Sequence, residues 1–491
     1  MLFNSFQFLV FIAIVIPAYF LLPQKFRWVF LLAASYYFYM SWNVVYILLL
    51  FASTLVNYLI ARRIDRIEER RGRLAFLWLS VALSFGTLFL FKYYDFTAGL
   101  LGGLLSRIGI EAVLPRFNLL LPVGISFYTF QIVSYVIDVY YRRTKIERNF
   151  GKFALYVSFF PQLVAGPIER ADNLLPQFSK KHRFHWVTFQ ASLYRIFWGY
   201  FKKMVVADRL AVLVNTVYAA PGEYNGWVLA IATVFFAVQI YCDFSGYCDI
   251  AIGVARIMGF RLMKNFDNPY FATSIQNFWD RWHISLSTWL RDYIYIPLGG
   301  NRVSKARYIF NVMVTFIASG VWHGAGINFI LWGTAHGVMV TAEKLYRNRR
   351  RTILPRRLRE SGLYRLFCIL LTFALVNIAW VFFRAQTTGE AFHIIGSFFT
   401  LRLSDLYLLL FDAESSLYLL GLNRVEVWFA VISSVLLFVV ERRQSNRNLI
   451  LRLVREPAPA RCVVCVVMLV AVLLFGMYGE NTVNQFIYFQ F

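Results

Sequence analysis

Two histidines in apolar surroundings are the residues best suited to chemistry in this chain. His283 occurs in the string RWHISLSTWLRDY (residues 281–293), and His323 follows in SGVWHGAG (residues 319–326). Apolar runs flank the second string on both sides, so we expect His323 at membrane depth. An ionisable side chain inside a membrane span is costly and therefore marks a functional site by default. A neutral imidazole there is suited to act as a general base for a hydroxyl or a thiol.

The segment around His283 has the spacing of an amphipathic helix. On a helix, His283 and Ser287 share one face at i, i+4, and Trp282 and Trp289 share another at i, i+7. A structural alternative exists for each histidine. His283 could lie in an interfacial helix anchored by Trp and Tyr, and His323 could be buried and bonded to a backbone carbonyl. Glycines beside His323 allow backbone or ligand to approach closely.

Other kinds of chemistry lack their sequence patterns. No HxxxH or HExxH occurs, and His336 is interpreted as structural, so we predict no metal site. No GxSxG, P-loop or GxGxxG is present, which argues against a serine nucleophile and against nucleotide-driven pumping. The five cysteines lie in or beside apolar runs and are interpreted as packing residues.

The composition is that of a polytopic membrane protein. Hydrophobic residues make up 59% of the 491 positions and charged residues 15%, and apolar runs long enough to span a bilayer recur throughout. The first apolar run continues to Leu22 without a basic n-region or a cleavage site, so we predict a retained helix. Ten to thirteen membrane helices are expected, all of them α-helical.

The net charge of +24 comes largely from short basic linkers between apolar runs. Residues 62–73, 346–359 and 442–455 are such linkers, and the positive-inside rule places them in the cytoplasm, with the N-terminus outside. They are also expected to contact anionic lipid. No basic patch is interleaved with stacking aromatics outside the apolar segments, which argues against nucleic-acid binding.

Several polar islands interrupt the apolar pattern. Residues 246–307 are dense in aromatic, charged, Gly and Pro residues, and such a stretch should be buried in protein or line a cavity. Asp243 and Asp249 could pair with Arg281 or Arg291. Three shorter islands contain Gly or Pro and are predicted to break their helices, either at a cavity or as packing kinks: residues 122–127, 163–170 and 241–249.

These motifs together resemble the membrane-bound O-acyltransferase (MBOAT) family, in its alginate O-acetylation branch. The resemblance rests on three strings: RWHISLSTWLRDY, PLGGNR (residues 297–302) and WHGA (residues 322–325). Supporting matches are LPVGISFY (residues 121–128), AGPI (residues 165–168), DFSGY (residues 243–247) and the terminal FIYFQF (residues 486–491).

The resemblance implies a fold and a domain organisation. We expect a single integral-membrane acyltransferase domain over residues 1–491, with its catalytic core at about residues 119–345. The expected architecture is an all-α ring of about 11 transmembrane helices around a thinned centre with a catalytic tunnel, plus re-entrant and interfacial helices.

The resemblance also implies an activity and its residues. His323 and His283 are expected to be catalytic, and six further residues to position substrate or donor: Arg281, Arg291, Asp292, Trp322, Ser287 and Asp243. The implied reaction passes an acetyl group from cytoplasmic acetyl-CoA to an extracytoplasmic partner acetyltransferase, which modifies a polysaccharide. The implied location is the bacterial inner membrane, with acetyl-CoA as a substrate and no permanently bound cofactor.

Two alternatives remain open from the sequence. One is a D-alanyl relay of the teichoic-acid type, whose donor is a carrier-protein thioester. The other is a non-enzymatic transporter or scaffold for an acyl donor, although no inverted repeat of the transporter kind is visible.

Overall fold

The structure is a computed structural model that describes residues 1–111, 114–164, 166–353, 355–411, 420–447, 449–478 and 486. Across these ranges the chain is helical and contains no β-strand, which confirms the predicted all-α class. Two of the quoted motifs lie partly outside the described residues: Ala165 of AGPI and residues 487–491 of the terminal string.

Five helices in the described ranges are long and apolar enough to cross a membrane, and a shorter apolar helix covers Phe6–Leu21. The five are Tyr46–Arg66, Arg70–Lys92, Gly226–Ile257, Gly362–Arg384 and Ala458–Phe475. The helix that ends at His323 is not one of them, so its membrane depth stays a prediction. The count of about 11 and the central tunnel likewise stay predictions.

The chain packs as two compact units. The first unit comprises Met1–Ser192 and Ile250–Met263, and the second comprises Leu193–Asp249 and Lys264–Phe491. Two helices contribute residues to both units: α10 (Trp186–Tyr200) and α12 (Gly226–Ile257). The prediction of a single functional domain is not decided by this packing.

In the part that the structure describes, the first unit contains nine further helices. They are α1 (Phe6–Leu21), α2 (Gln24–Met40), α3 (Tyr46–Arg66), α4 (Arg70–Lys92), α5 (Tyr94–Arg107), α6 (Ile125–Tyr140), α7 (Phe150–Ser158), α8 (Phe160–Leu163) and α9 (Ala171–Phe178). Helices α3 and α4 share a buried polar contact, in which the Ser80 hydroxyl donates to Asn57 Oδ1 at 2.5 Å. Asn57 Nδ2 in turn donates to Ser84 Oγ at 3.2 Å. Such contacts between apolar helices hold their rotation in place.

Over its described residues, the second unit contains twelve further α-helices. They are α11 (Asp208–Ala219), α13 (Ile275–Trp279), α14 (Ile284–Leu290), α15 (Lys305–His323), α16 (Ile327–Ile353), α17 (Arg356–Arg359), α18 (Gly362–Arg384), α19 (Thr388–Ser397), α20 (Leu403–Phe411), α21 (Arg424–Arg447), α22 (Leu449–Arg455) and α23 (Ala458–Phe475). Two π-helical segments, Phe201–Ala207 and Arg291–Tyr295, follow α10 and α14 directly. π-helical turns are rare and occur frequently at functional sites.

Helix α12 runs without a break through residues 241–249, so the predicted interruption there is wrong. The glycine in this island serves close packing instead. A Cβ atom on Gly246 would lie 2.8 Å from the carbonyl oxygen of Gly199 and 3.2 Å from the amide nitrogen of Lys203. Gly246 therefore lets α12 approach the end of α10 at backbone distance, as small residues do between membrane helices.

Helices α15 and α16 form a close antiparallel pair joined by residues 324–326. A Cβ atom on Gly320 would lie 2.2 Å from the carbonyl oxygen of Phe329, and one on Gly333 would lie 2.3 Å from that of Phe316. The glycine before His323 thus allows a backbone approach, one of the two uses expected from the sequence. His323 is the last residue of α15, so this pairing fixes its position.

The predicted amphipathic helix around His283 begins later than its periodicity indicated. His283 has φ 44° and ψ 53°, the left-handed conformation, and α14 begins only at Ile284. His283 and Trp282 therefore precede the helix and do not share helical faces with Ser287 and Trp289. The helix begins late because a side chain from a separate segment caps it. Asn265 Oδ1 accepts a hydrogen bond from the Ser285 amide at 3.1 Å, the bond that a local N-cap side chain would otherwise make.

Candidate active site

His323 lies in a box of aromatic rings. Its imidazole is 4% exposed, and its centroid lies 4.9 Å from that of Trp322, 4.9 Å from that of Trp332 and 5.2 Å from that of Phe383. All three rings meet the imidazole at 74° to 85°. Helices α15, α16 and α18 supply these rings, so three elements together fix the orientation of the imidazole.

Two tryptophans each contact two histidines, so that indole rings link three histidines in a series. The Trp322 centroid lies 5.9 Å from that of His283 and 4.9 Å from that of His323. The Trp332 centroid lies 4.9 Å from those of both His323 and His336. The structure thus brings His283 and His323 into contact with one indole, although they are 40 residues apart in the sequence.

His336 has the environment of a structural residue. It is fully buried, and its Nδ1 accepts a hydrogen bond from the indole Nε1 of Trp279 at 3.2 Å. Because an indole nitrogen can only donate, the Nδ1 atom of His336 carries the lone pair. Its ring stacks with Phe278 at an interplanar angle of 6°. These contacts favour the structural interpretation.

The tautomer of His283 is set by Asn265. His283 is fully buried, and its Nδ1 lies 3.2 Å from Asn265 Oδ1. The same oxygen accepts from the amide of Ser285 at 3.1 Å and from its hydroxyl at 2.9 Å, which identifies it as an acceptor. His283 must therefore donate through Nδ1–H, and in the neutral ring Nε2 then carries the lone pair.

A cavity of about 530 Å³ lies beside this row of rings. Its lining includes Ser287 and Arg291, two of the residues predicted to position substrate, and also Ile284 and Ser319. Ile284 directly follows His283, and Ser319 lies one helical turn before His323 on α15. Neither imidazole is itself among the lining residues. The cavity therefore extends to the residues adjacent to both histidines.

The hydroxyl of Ser319 is unsatisfied within the described part of the chain. Ser319 is fully buried, and its Oγ has no hydrogen-bond partner among the described residues. Buried polar atoms in native proteins are nearly always bonded, so an exception that lines a cavity is suited to bind a ligand or water. Because i and i+4 side chains share a helix face, this hydroxyl and His323 lie on the same side of α15.

The predicted charged residues near His283 occupy different positions. Arg291 Nε and Asp292 Oδ1 form an ion pair at 2.9 Å, and the Arg291 side chain is exposed at the cavity. Arg281 Nη1 donates a long bond of 3.4 Å to the carbonyl of Asp267. The structure thus brings Arg291 and Ser287 to the cavity, whereas Arg281 is not among its lining residues.

Asp243 and Asp249 of α12 form ion pairs with basic side chains of α10 and of the π-helical segment that follows it. Lys203 Nζ lies 2.7 Å from Asp243 Oδ1 and 2.9 Å from Asp208 Oδ1, and its side chain is 1% exposed. A second ion-pair cluster adjoins it, with Lys202 Nζ 2.7 Å from Asp249 Oδ2. Lys202 also lies 2.6 Å from Glu441, and Arg195 lies 2.8 Å from Asp249. These partners differ from the two arginines considered from the sequence.

Several residues of this site were not predicted from the sequence. Asn265, Trp332 and Phe383 contact the two histidines from distant positions, and no local pattern marks them. Lys202 and Lys203 did carry a signal, because two adjacent lysines occur within an apolar run. Within the described ranges, no group of three or more His, Cys, Asp or Glu side chains is placed to hold a metal ion.

The fold and the site define a class of protein: a multi-pass membrane protein with buried histidines beside a cavity. Comparison with known proteins specifies the family. The sequence model of MBOAT, the membrane-bound O-acyltransferase family, matches residues 141–383. The probable alginate O-acetylase AlgI of Pseudomonas aeruginosa is 40% identical over 410 residues, which cover 82% of this chain and 76% of that protein.

Two further relatives have other substrates in their names. The peptidoglycan O-acetyltransferase of Helicobacter pylori is 34% identical over 74% of this chain and 72% of its own length. The teichoic acid D-alanyltransferase of Bacillus subtilis is 27% identical over 57% of this chain and 71% of its own length. The chain belongs to the membrane-bound O-acyltransferase family and is an O-acyltransferase. This membership sets aside the non-enzymatic alternative.

Proposed function

We propose that this protein moves an acetyl group from cytoplasmic acetyl-CoA across the bacterial inner membrane to a partner acetyltransferase. That partner then O-acetylates an extracytoplasmic polysaccharide, alginate or a similar polymer. Three relatives with O-acetyl transfer in their names support the acyl group: two alginate O-acetylases and a peptidoglycan O-acetyltransferase. The basic linkers support a cytoplasmic face that attracts an anionic donor.

The observation that carries the proposal is the unsatisfied hydroxyl of Ser319 in the cavity next to His323. It gives a bound substrate a hydrogen-bonding group one turn from the expected base. A thioester is already activated, so alignment of donor and acceptor together with one base supplies most of what the reaction needs.

In the proposed reaction, His323 accepts the proton of the acceptor hydroxyl as its oxygen attacks the thioester carbonyl. The new C–O bond forms and the C–S bond breaks. The imidazolium then returns the proton to the departing thiolate, so that coenzyme A leaves as the thiol. A positioned base of this kind contributes about 10²–10⁴ in rate.

His283 could polarise the thioester carbonyl or assist proton transfer, and its hydrogen bond to Asn265 supports the second role. With Nδ1–H donated to Asn265, the neutral ring has only a lone pair at Nε2. A lone pair cannot polarise the thioester carbonyl, but it can accept a proton. We therefore assign His283 to proton transfer, with Asn265 as the residue that holds its tautomer.

The remaining predicted residues receive positioning roles in this proposal. Arg291 and Ser287 line the cavity, where a guanidinium and a hydroxyl can hold the polar parts of the donor. Asp292 orients Arg291 through their ion pair. Trp322 contacts both imidazoles, and Asp243 directly precedes Phe244, whose ring centroid lies 4.7 Å from that of His283.

Replacing Ser319 with Ala tests whether the cavity is the substrate site. Since the hydroxyl has no described protein partner, we expect an unchanged thermal midpoint and a fall in kcat/KM of about 2–10-fold, the value of one hydrogen bond. The assay follows release of the coenzyme A thiol from acetyl-CoA by purified protein supplied with acceptor.

A matched control is Ser433→Ala, because that buried hydroxyl donates within its own helix to the carbonyl of Ala430. It should leave kcat/KM unchanged. An unaltered kcat/KM in Ser319→Ala, or a lower thermal midpoint, would contradict the assignment of the cavity.

The D-alanyl relay is the second function to test in the same assay, because a teichoic acid D-alanyltransferase is among the relatives. Its donor would be a carrier-protein thioester. Thiol release from a D-alanyl carrier protein, without release from acetyl-CoA, would replace the acetyl proposal.

A further inference from the structure

A second cavity, of about 820 Å³, lies in the first unit beside α9 and the end of α12. We call it the basic cleft, because five of its lining side chains are Lys or Arg, together with two histidines, and only Asp172 is acidic. The five cations are Lys180, Lys181, Arg183, Arg256 and Arg261. No residue lines both the basic cleft and the cavity at Ser319.

The cations of the basic cleft are not neutralised by any carboxylate in the described part of the chain. Within the described residues, none of the five lies in a salt bridge with a carboxylate. The carboxylate of Asp172 accepts a hydrogen bond from the Thr144 hydroxyl instead. Partial burial and the nearby charges of Arg27 and Lys180 lower the pKa of His182. Like charges held together in this way favour an anion between them.

The walls of the basic cleft are fixed in place by hydrogen bonds. Gln177 bonds the backbone of Arg261 twice: its Oε1 accepts from the amide at 2.7 Å, and its Nε2 donates to the carbonyl at 3.0 Å. Asn173 Nδ2 donates to the same carbonyl at 3.2 Å, and His182 Nε2 lies 2.9 Å from the carbonyl of Gln177. The cations therefore project from a preorganised frame, which lowers the entropy lost on binding.

The basic cleft lies on the same face of the first unit as the basic linker that begins near the end of α3 (residues 62–73). Lys152 Nζ donates to the hydroxyl of Ser179, the residue directly before the cleft's lysines, at 2.8 Å. Four residues before Lys152, the carbonyl of Arg148 accepts a hydrogen bond from the Tyr58 hydroxyl. Tyr58 lies one helical turn before Arg62 on α3, so these two contacts connect the cleft to the basic linker. The positive-inside rule assigns this face to the cytoplasm.

We propose that the basic cleft binds a ligand that carries two or more phosphate groups on the cytoplasmic face. Arg and Lys are the residues that recognise phosphate, and the cavity volume is within the roughly 300–1,000 Å³ typical of small-ligand sites. Cations on both walls suit an anion with separated charges better than a single phosphate. The ligand is either the headgroup of an anionic phospholipid or the phosphates of a soluble nucleotide. The inference goes beyond the proposed function, since a lipid would satisfy it without being a substrate.

The test compares two charge-removal variants of the full-length protein purified in neutral detergent. Lys180→Gln/Arg261→Gln removes two exposed cations from the basic cleft, whereas Arg71→Gln/Lys145→Gln removes two exposed cations elsewhere in the same unit. The backbone atoms of Arg261 that Gln177 binds are kept. Equal thermal midpoints of the two variants establish that both are folded.

Two probes distinguish the sources of phosphate. Calorimetry with adenosine 3′-phosphate 5′-diphosphate reports the soluble source. Native mass spectrometry of retained cardiolipin, an anionic phospholipid whose headgroup carries two phosphates, against phosphatidylcholine, reports the lipid source. We expect the cleft variant to bind one probe at least about tenfold more weakly than wild type, because it lacks two groups that can form charge-assisted bonds to phosphate.

Loss in the first measurement alone identifies a soluble ligand, and loss in the second alone identifies a lipid headgroup. Binding of both probes with unchanged affinity would overturn the proposal. So would an equal loss in the control variant, because the effect would then be one of net charge.

Discussion

Replacing His323 with Ala is expected to lower the rate of acyl transfer by about 10²–10⁴-fold, the usual contribution of a positioned general base. The imidazole is held by Trp322, Trp332 and Phe383, so an alanine there leaves no group that can accept the acceptor proton in the same place. The loss should appear in kcat, because a base acts in the transition state more than in the bound substrate. Thiol release from acetyl-CoA by protein in membranes is the measurement.

The matched control is His393→Ala, whose side chain is exposed on α19. It should retain the wild-type rate. His323→Gln separates packing from proton transfer, because glutamine fills much of the box without being a base. A His323→Gln enzyme as active as wild type would contradict the assignment, whereas inactivity of both variants at wild-type abundance supports it.

Replacing Lys203 with Met is expected to cost about 3–5 kcal/mol of the free energy of unfolding, as breaking one partner of a buried ion pair does. The variant leaves the carboxylates of Asp243 and Asp208 buried without their lysine. The ammonium is 1% exposed, so water cannot replace it. The thermal midpoint in detergent and the amount of protein in the membrane are the measurements.

A surface pair supplies the control for Lys203. Lys264 Nζ lies 2.7 Å from Asp267 Oδ1, the same distance as Lys203 from Asp243, but both of its side chains are well exposed. Lys264→Met should cost less than about 1 kcal/mol. Adding Asp243→Asn and Asp208→Asn to Lys203→Met should restore part of the lost stability. Equal effects of Lys203→Met and Lys264→Met would show that the buried pair is not structural.

The sequence predicted the all-α class and a close approach beside His323, because both follow from local patterns. Apolar runs and flanking glycines are sufficient for these features. The helix start at His283 was misplaced for the opposite reason. Its periodicity continues through residues 281–293, and the left-handed residue is selected by Asn265, which contacts it from a separate segment.

The charged residues of α12 show a second limit of sequence analysis. Asp243 and Asp249 were visible as charges in an apolar run, but their partners depend on which helix packs against α12. Gly246, which suggested a break, instead allows that packing at backbone distance. A glycine in an apolar helix is compatible with either outcome, and only the neighbouring helix decides between them.

The most direct test of the central claim is a structure of the protein with a non-transferable thioether analogue of acetyl-CoA. That claim is that the cavity ending at Ser319 presents the donor carbonyl to His323 and His283. We predict that the analogue's acetyl group lies in hydrogen-bonding range, about 2.6–3.2 Å, of Ser319 Oγ and one imidazole nitrogen, directly or through one water. An analogue bound with its acetyl group away from both imidazoles, with packed side chains between them, would contradict the account.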